Sequence, residues 1–253
     1  VFWGISILFG NKQSAGVWLS VAIILIILAG VSIFGILYHQ NYESDTISTI
    51  VSEDLKLDAE SGEIKFDIGA VSLNLKSGSE EFVSGSVKTI SGINIQRSNV
   101  GSVQKLEISQ LPNGALLWGK DKSSNLDLKV SNKLPLDIYI NAGATKINAD
   151  LSESMIKKLE IDSGATSADV KIGNKINNIK INISCGASSF DIKIPNDFSL
   201  KVINRSGLSG NNLSSLNLIK NGDEWTSSDY DTNDKKIEVI FESGASSLNI
   251  SKY

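Results

Sequence analysis

The sequence predicts an all-β protein, a β-solenoid of the single-stranded β-helix kind with about 21–22 residues per coil, preceded by a transmembrane helix. Three observations predict it. A four-residue phrase centred on glycine recurs as Asn141-Ala142-Gly143-Ala144, Asp162-Ser163-Gly164-Ala165, Ser184-Cys185-Gly186-Ala187, Arg205-Ser206-Gly207-Leu208 and Glu242-Ser243-Gly244-Ala245. Between the phrases, apolar and polar residues alternate with the period of a strand that buries one face. Before all of this, Gln13 to Tyr42 runs without a formal charge.

The charge-free stretch comes first in the chain. Its centre, Val17 to Tyr38, reads VWLSVAIILIILAGVSIFGILY. At about 1.5 Å per residue it extends roughly 33 Å, enough to cross a hydrocarbon core of about 30 Å. Trp18 and Tyr38 sit near its ends, where amphipathic aromatics favour the interface. Val1 to Phe9 is also apolar and reads as the end of an earlier span, so residues 1–42 form the membrane region. Lys12, between the two, is the only charged residue in the first forty. As a positive-inside signal it sets the solenoid on the extracytoplasmic side of a bacterial membrane. His39 to Thr46 is a short polar linker that keeps the folded part close to lipid.

Residues 47–122 make a first solenoid part. Ile64, Phe66 and Ile68 alternate into a corner at Gly69-Ala70, and Val71, Leu73 and Leu75 alternate out. Val100 to Asn125 is less regular and reads as a hairpin or junction, with a soft boundary near Ser123. Residues 123–253 make the second part, whose corners are Gly143, Gly164, Gly186, Gly207 and Gly244. The first four recur after 21, 22 and 21 residues, the period of a solenoid coil. Glycine at each corner allows a close approach that a Cβ would forbid. Stacked corners would form a glycine column beside a column of small residues, in which Cys185 takes the place held by Ala142, Ser163, Ser206 and Ser243. A short helical turn fits Ser152 to Lys158. The last interval, Gly207 to Gly244, is 37 residues, and its excess, Lys220 to Lys236, reads as a projecting loop. Trp225 and Tyr230 in that loop are the candidate partner-binding residues, with a solvated turn as the competing reading.

Composition narrows the chemistry. The chain carries 24 basic and 28 acidic residues, and no run gathers Lys and Arg on one face, which excludes phosphate-backbone binding to nucleic acid. With a single His and a single Cys, no Cys-His or metal site is expected. Asp229, Asp231 and Asp234 alternate as calcium ligands do, but lack the glycine and distal glutamate of an EF-hand loop. Carboxylate pairs across coils would leave glycan hydrolysis open, because linear sequence hides the distance between them. No catalytic residue and no cofactor is expected.

FWGISILFG followed by the apolar span resembles the membrane region of LiaF-type proteins. SGEIKFDIGAVSLNLKSGS, LPLDIYINAGATKINADL, SGATSADVKI and CGASSFDIKIP resemble the toast-rack, putative-adhesin β-solenoid family. The first resemblance implies a regulator of the bacterial envelope-stress response that restrains a membrane sensor kinase by protein contact. Its partners would then be the bilayer and another membrane protein. The alternative is a surface, adhesin-like solenoid that binds envelope polymer.

Overall fold

Period-two alternation becomes strand throughout the described residues, 46–112 and 124–253 of a computed structural model. In chain order the strands are β1 (Ile47–Glu53), β2 (Ser61–Ile68), β3 (Val71–Ser79), β4 (Val83–Thr89), β5 (Ile93–Val100), β6 (Val103–Gln110) and β7 (Ser124–Ser131). They continue as β8 (Pro135–Leu151), β9 (Met155–Ile172), β10 (Asn178–Ile194), β11 (Ser199–Asn211), β12 (Ile219–Asn221), β13 (Glu224–Thr226) and β14 (Lys236–Lys252). One 3-10 turn, Leu213–Leu216, lies between β11 and β12. The helical turn expected at Ser152 to Lys158 is instead a tight turn leading directly into β9. Among the described residues no helix is long and apolar enough to cross a membrane. The expected span, Val17 to Tyr38, and the apolar Val1 to Phe9 lie outside the described residues.

Each long strand is one coil with two arms. In β8 the buried positions are Leu136, Ile138 and Ile140 before the corner, and Thr145, Ile147, Ala149 and Leu151 after it. The inward parity changes from even to odd, and the exposed pair Gly143-Ala144 absorbs the change. The arms face each other across one core. Phe190, in the second arm of β10, meets Phe241, in the first arm of β14, edge to face with ring centroids 5.8 Å apart.

The coils stack in parallel with like residues on like. Ala144 pairs with Ala165, Ala165 with Ala187, and Ala187 with Ala245. In the first solenoid part, β2 and β3 together make one coil, for β2 pairs with the first arm of β8 and β3 with its second arm. Outside them, β6 pairs with β2 and β7 with β3, so these two strands make the next coil. The described strands on either side of the soft boundary, β6 and β7, are therefore the two arms of a single coil, and the described strands of both parts share the core. Antiparallel strands close that end: β5 on β6, β4 on β7, and β1 on β4. Arg97 of β5 pairs with Glu53 of β1 across the gap between the arms.

At the other end the order departs from serial stacking. β14 lies between β10 and β11, parallel to both along nearly its whole length. Coil period cannot reveal this, because every coil offers the same ladder to its neighbour. The corner column accordingly runs Gly69, Gly143, Gly164, Gly186, Gly244, Gly207. A Cβ on Gly186 would lie 2.6 Å from the carbonyl oxygen of Gly164, whereas one on Gly143 would be 3.5 Å from Gly69. Gly186→Ala is expected to cost about 1–3 kcal/mol by overpacking against backbone, and Gly143→Ala to be near neutral. Urea unfolding of the two variants checks this, and equal losses would refute the column as the cause.

Lys220 to Lys236 does not project as a free loop. β13 within it pairs antiparallel with the first arm of β11, placing Trp225 opposite Val202, and β12 pairs with β13. The insertion is a lid of two short strands on the last coil, because the open edge of β11 offers unpaired backbone that the hairpin satisfies.

Candidate binding faces of the solenoid

Two broad outer faces result, one on each arm, and the charged residues are distributed differently on them. On the first-arm face charges are neutralised in place. Lys105 pairs with Glu63 (2.9 Å), Lys158 with Glu160 (2.6 Å), Lys201 with Glu224 (3.0 Å) and Arg205 with Glu242 (2.7 Å). Lys65 bonds both Asp67 (2.7 Å) and Glu107 (3.3 Å). The hydrogen bonds they donate to these carboxylates hold the Lys65, Lys105, Lys158 and Lys201 ammonium groups above their usual range.

The second-arm face is built in rows. One row across the coils is Asp127, Asn74, Asn148, Asp169, Asp191, Asn249. Two residues further along each strand, Lys129, Lys76, Asp150, Lys171 and Lys193 make a second row. Amide side chains bridge parts of the first row: Asn74 donates to Asp127 (2.8 Å), Asn148 to Asn74 (2.9 Å) and Asn249 to Asp191 (2.8 Å). A shallow groove of about 250 Å³ lies along both rows. Among the described residues, Lys76, Lys129, Lys146, Lys171 and Lys193 form no ion pair within 4.0 Å. The sequence carries the signal for these rows as an acid or amide two places before a lysine, at 74/76, 127/129, 169/171 and 191/193. A reading keyed to glycine spacing passes over it.

At the groove's edge, Asp150 accepts hydrogen bonds from the Ser152 hydroxyl (2.5 Å) and backbone N–H (3.2 Å). The Ser152 hydroxyl, with Lys171 and Lys76 nearby, holds its carboxyl below the ordinary aspartate value of 3.8. Asp197 is lowered too, chiefly by Lys235 (2.6 Å). A depressed folded pKa gives stability that is complete above the unfolded value and is lost as pH falls through the folded one. The melting temperature is therefore expected to fall below about pH 4, and less steeply in Asp150→Asn, as thermal melts across that range would show.

The residues singled out in the final insertion lie at the far end of the stack. Trp225 is half-buried against the core, with the Lys220 ammonium 4.9 Å from its ring centroid. Tyr230 has Lys236 at 5.4 Å and Lys201 at 5.9 Å. Both rings are thus engaged by lysines of the chain itself. Asp229 anchors the turn through its carbonyl, which accepts from Thr232 and Asn233. Among the described residues no cluster of three or more His, Cys, Asp or Glu is placed to hold a metal. Cys185 is buried in the small-residue column, in register with Ser163 and Ser243. Asp169 and Asp191 are neighbours in one row. They stand side by side on one face, whereas glycoside cleavage needs carboxyls flanking the bond.

The family model described as the N-terminal domain of toast_rack, DUF2154, matches residues 38–193, from the polar linker to the end of β10. The chain belongs to the toast-rack family. A crystal structure of a "putative cell adhesion protein" from Clostridium sporogenes ATCC 15579 aligns with 83% of this toast-rack chain and 100% of its own. Its TM-score is 0.73 at 23% identity, a likeness of fold. A "putative adhesin" from Bacteroides fragilis NCTC 9343 covers 83% of this chain and 98% of its own at 10% identity, with a TM-score of 0.26. No curated protein matches the chain. In this toast-rack protein the all-β solenoid is the fold of the described residues.

Proposed function

We propose that the chain is a bacterial membrane-anchored binding protein that works by contact rather than catalysis, as a LiaF-like regulator in the envelope-stress response. The observation that carries this reading is continuity. The apolar segment Val17 to Tyr38 is separated by a short polar linker from β1, whose first residue is Ile47, so the rigid stack starts beside the bilayer. A stack of this kind holds each coil through its neighbours and presents extended faces, which suits a protein that positions or restrains a membrane partner. Toast-rack membership supports the scaffold role. The partner expected from the resemblance is an integral-membrane sensor kinase, and the solenoid is set on the extracytoplasmic side.

Co-purification of the kinase with the full chain tests the contact. Replacing residues 17–38 by an unrelated span is expected to abolish it, and retention of the kinase by that variant would refute the reading. Sidedness is tested in intact cells with a cysteine at exposed Ser228 in a Cys185→Ser background. Labelling by a membrane-impermeant maleimide before permeabilisation is expected.

A further inference from the structure

We infer that the end of the stack formed by β1 and β5 is a lipid-contacting surface, which rests exposed aliphatic side chains on the boundary between the head groups and acyl chains of the bilayer. The inference deepens the membrane-anchored reading above and rests on it. Among the described residues β1 and β5 are the outermost strands at that end, each paired along one edge. Five of the seven large hydrophobics exposed there and elsewhere belong to this end: Ile47, Ile50, Leu57, Val100 and Leu111. Aliphatics exposed singly need no explanation, but five gathered at one end point to a contact. They stand in two groups, with Ile50 between. Near the corner, a Cβ on Gly92 would lie 3.5 Å from Ile47 Cδ1 and 3.6 Å from Leu111 Cδ1, so these two side chains flank one turn. At the other end of β5, Val100 enters the turn to β6, and the loop after β1 is tied beside it. Buried Gln104 donates to the Asp54 carbonyl (2.9 Å) and accepts from the Lys56 N–H (3.0 Å), while the Glu60 N–H bonds the Ser102 carbonyl (2.9 Å). The loop so held turns Leu57 fully outward, where it adds nothing to the core. With β5 running from Ile93 to Val100, the two groups are about 23 Å apart.

Position selects lipid as the occupant. The linker His39 to Thr46 enters the stack at Ile47, and its eight residues reach at most about 29 Å, so a span at residues 17–38 holds this end next to the bilayer. A protein partner would need a pocketed aromatic or arginine anchor. These aliphatics stand on separate turns, they line neither the groove at Asn74 and Asn148 nor the hollow at Asp67 and Asn141, and Arg97 is engaged by Glu53. Exposed Lys56 is offset by exposed Asp54, Asp58 and Glu60, so the contact is apolar and owes nothing to anionic head groups. Depth is limited by the backbone edges of β1 and β5, which must keep water. Only side-chain tips enter, in the zone about 5–10 Å deep where interfacial elements lie. Contact at both groups stops the stack from swinging on its linker and fixes the orientation of its outer faces to the membrane.

The test uses the full chain in phosphatidylcholine nanodiscs, with an environment-sensitive NBD label on single cysteines in a Cys185→Ser background and nitroxide-labelled lipid as quencher. Labels at Leu57→Cys and Val100→Cys are expected to emit to the blue and to be quenched about twofold or more. A label at Ile219→Cys, on β12 at the opposite end of the stack, is expected to stay unquenched. Raising the salt is expected to leave the quenching unchanged, because the contact is apolar. Ile50→Asp combined with Leu57→Asp is expected to cut the quenching at Val100→Cys by about half or more while the chain still enters the nanodiscs. Quenching at positions 57 and 100 no greater than at 219 would overturn the inference. A blue shift without quenching would assign these turns to a protein contact and overturn it equally. A chain that fails to enter nanodiscs overturns the anchor and this inference with it, whereas one that enters without quenching leaves the anchor standing.

Discussion

A chain that stops at Lys235 is expected not to fold. Its missing strand, β14, is the neighbour of β10 on one side and β11 on the other, from Lys236 to Lys252 and from Lys236 to Leu248 respectively. Without it, β11 has only the three-residue ladder to β13, and the core around Phe190 and Phe198 opens to water. Phe241, Ile237, Val239, Leu248 and Ile250 are themselves fully buried, and large-to-small losses at such sites cost about 2–5 kcal/mol each. Marginal stability of about 5–15 kcal/mol cannot absorb their joint removal. A sharper expectation follows from the strand order. Ending the chain at Pro195 should do no more harm than ending it at Lys235, since the one long ladder of β11 among the described residues is to β14. Circular dichroism melts of the two truncations decide this, and a cooperative melt of the longer one near the full-chain temperature would refute it.

The second large effect is expected at Gly173. This residue is buried just after β9, and a Cβ there would lie 1.8 Å from the Ser152 carbonyl oxygen and 2.5 Å from its carbon. Both obstacles are backbone of the neighbouring coil's turn, so no rotamer change relieves them. Gly173→Ala is expected to lose about 3 kcal/mol or more, beyond the ordinary overpacking range. Gly210→Ala, where a Cβ meets nothing within 4 Å, is the control and should stay within about 0.5 kcal/mol. Urea titrations of both measure the difference. A small loss at Gly173 would mean that adjacent turns separate readily.

Gly173 also shows what the sequence conceals. The corner glycines could be read because they recur in a fixed phrase, and the strands because sets such as Ile179, Ile181, Ile183 and Ile237, Val239, Phe241 recur with period two. Gly173 stands alone in a polar turn, with no repeat to mark it. Strand order was hidden for a different reason. The ladder residues of β10 suit β11 as well as β14, so spacing could not place the last strand inside the stack. The insertion around Trp225 read as a loop because its strands, β12 and β13, are three residues each and too short to show alternation. The second-arm rows were present as residue pairs two apart, but their meaning depends on which charges the other arm neutralises. That appears only once side chains are placed.

The inserted position of β14 has a consequence for biosynthesis. The strand leaves the ribosome after both of its neighbours, so β10 and β11 emerge before the strand that lies between them. At about 5–20 residues per second, the stretch from Asn211 to Lys252 takes roughly two to eight seconds to make. For that time two parallel edges stand exposed, and such edges pair readily with other chains. Cells that make this protein in quantity have a nascent species to shield until β14 has been made.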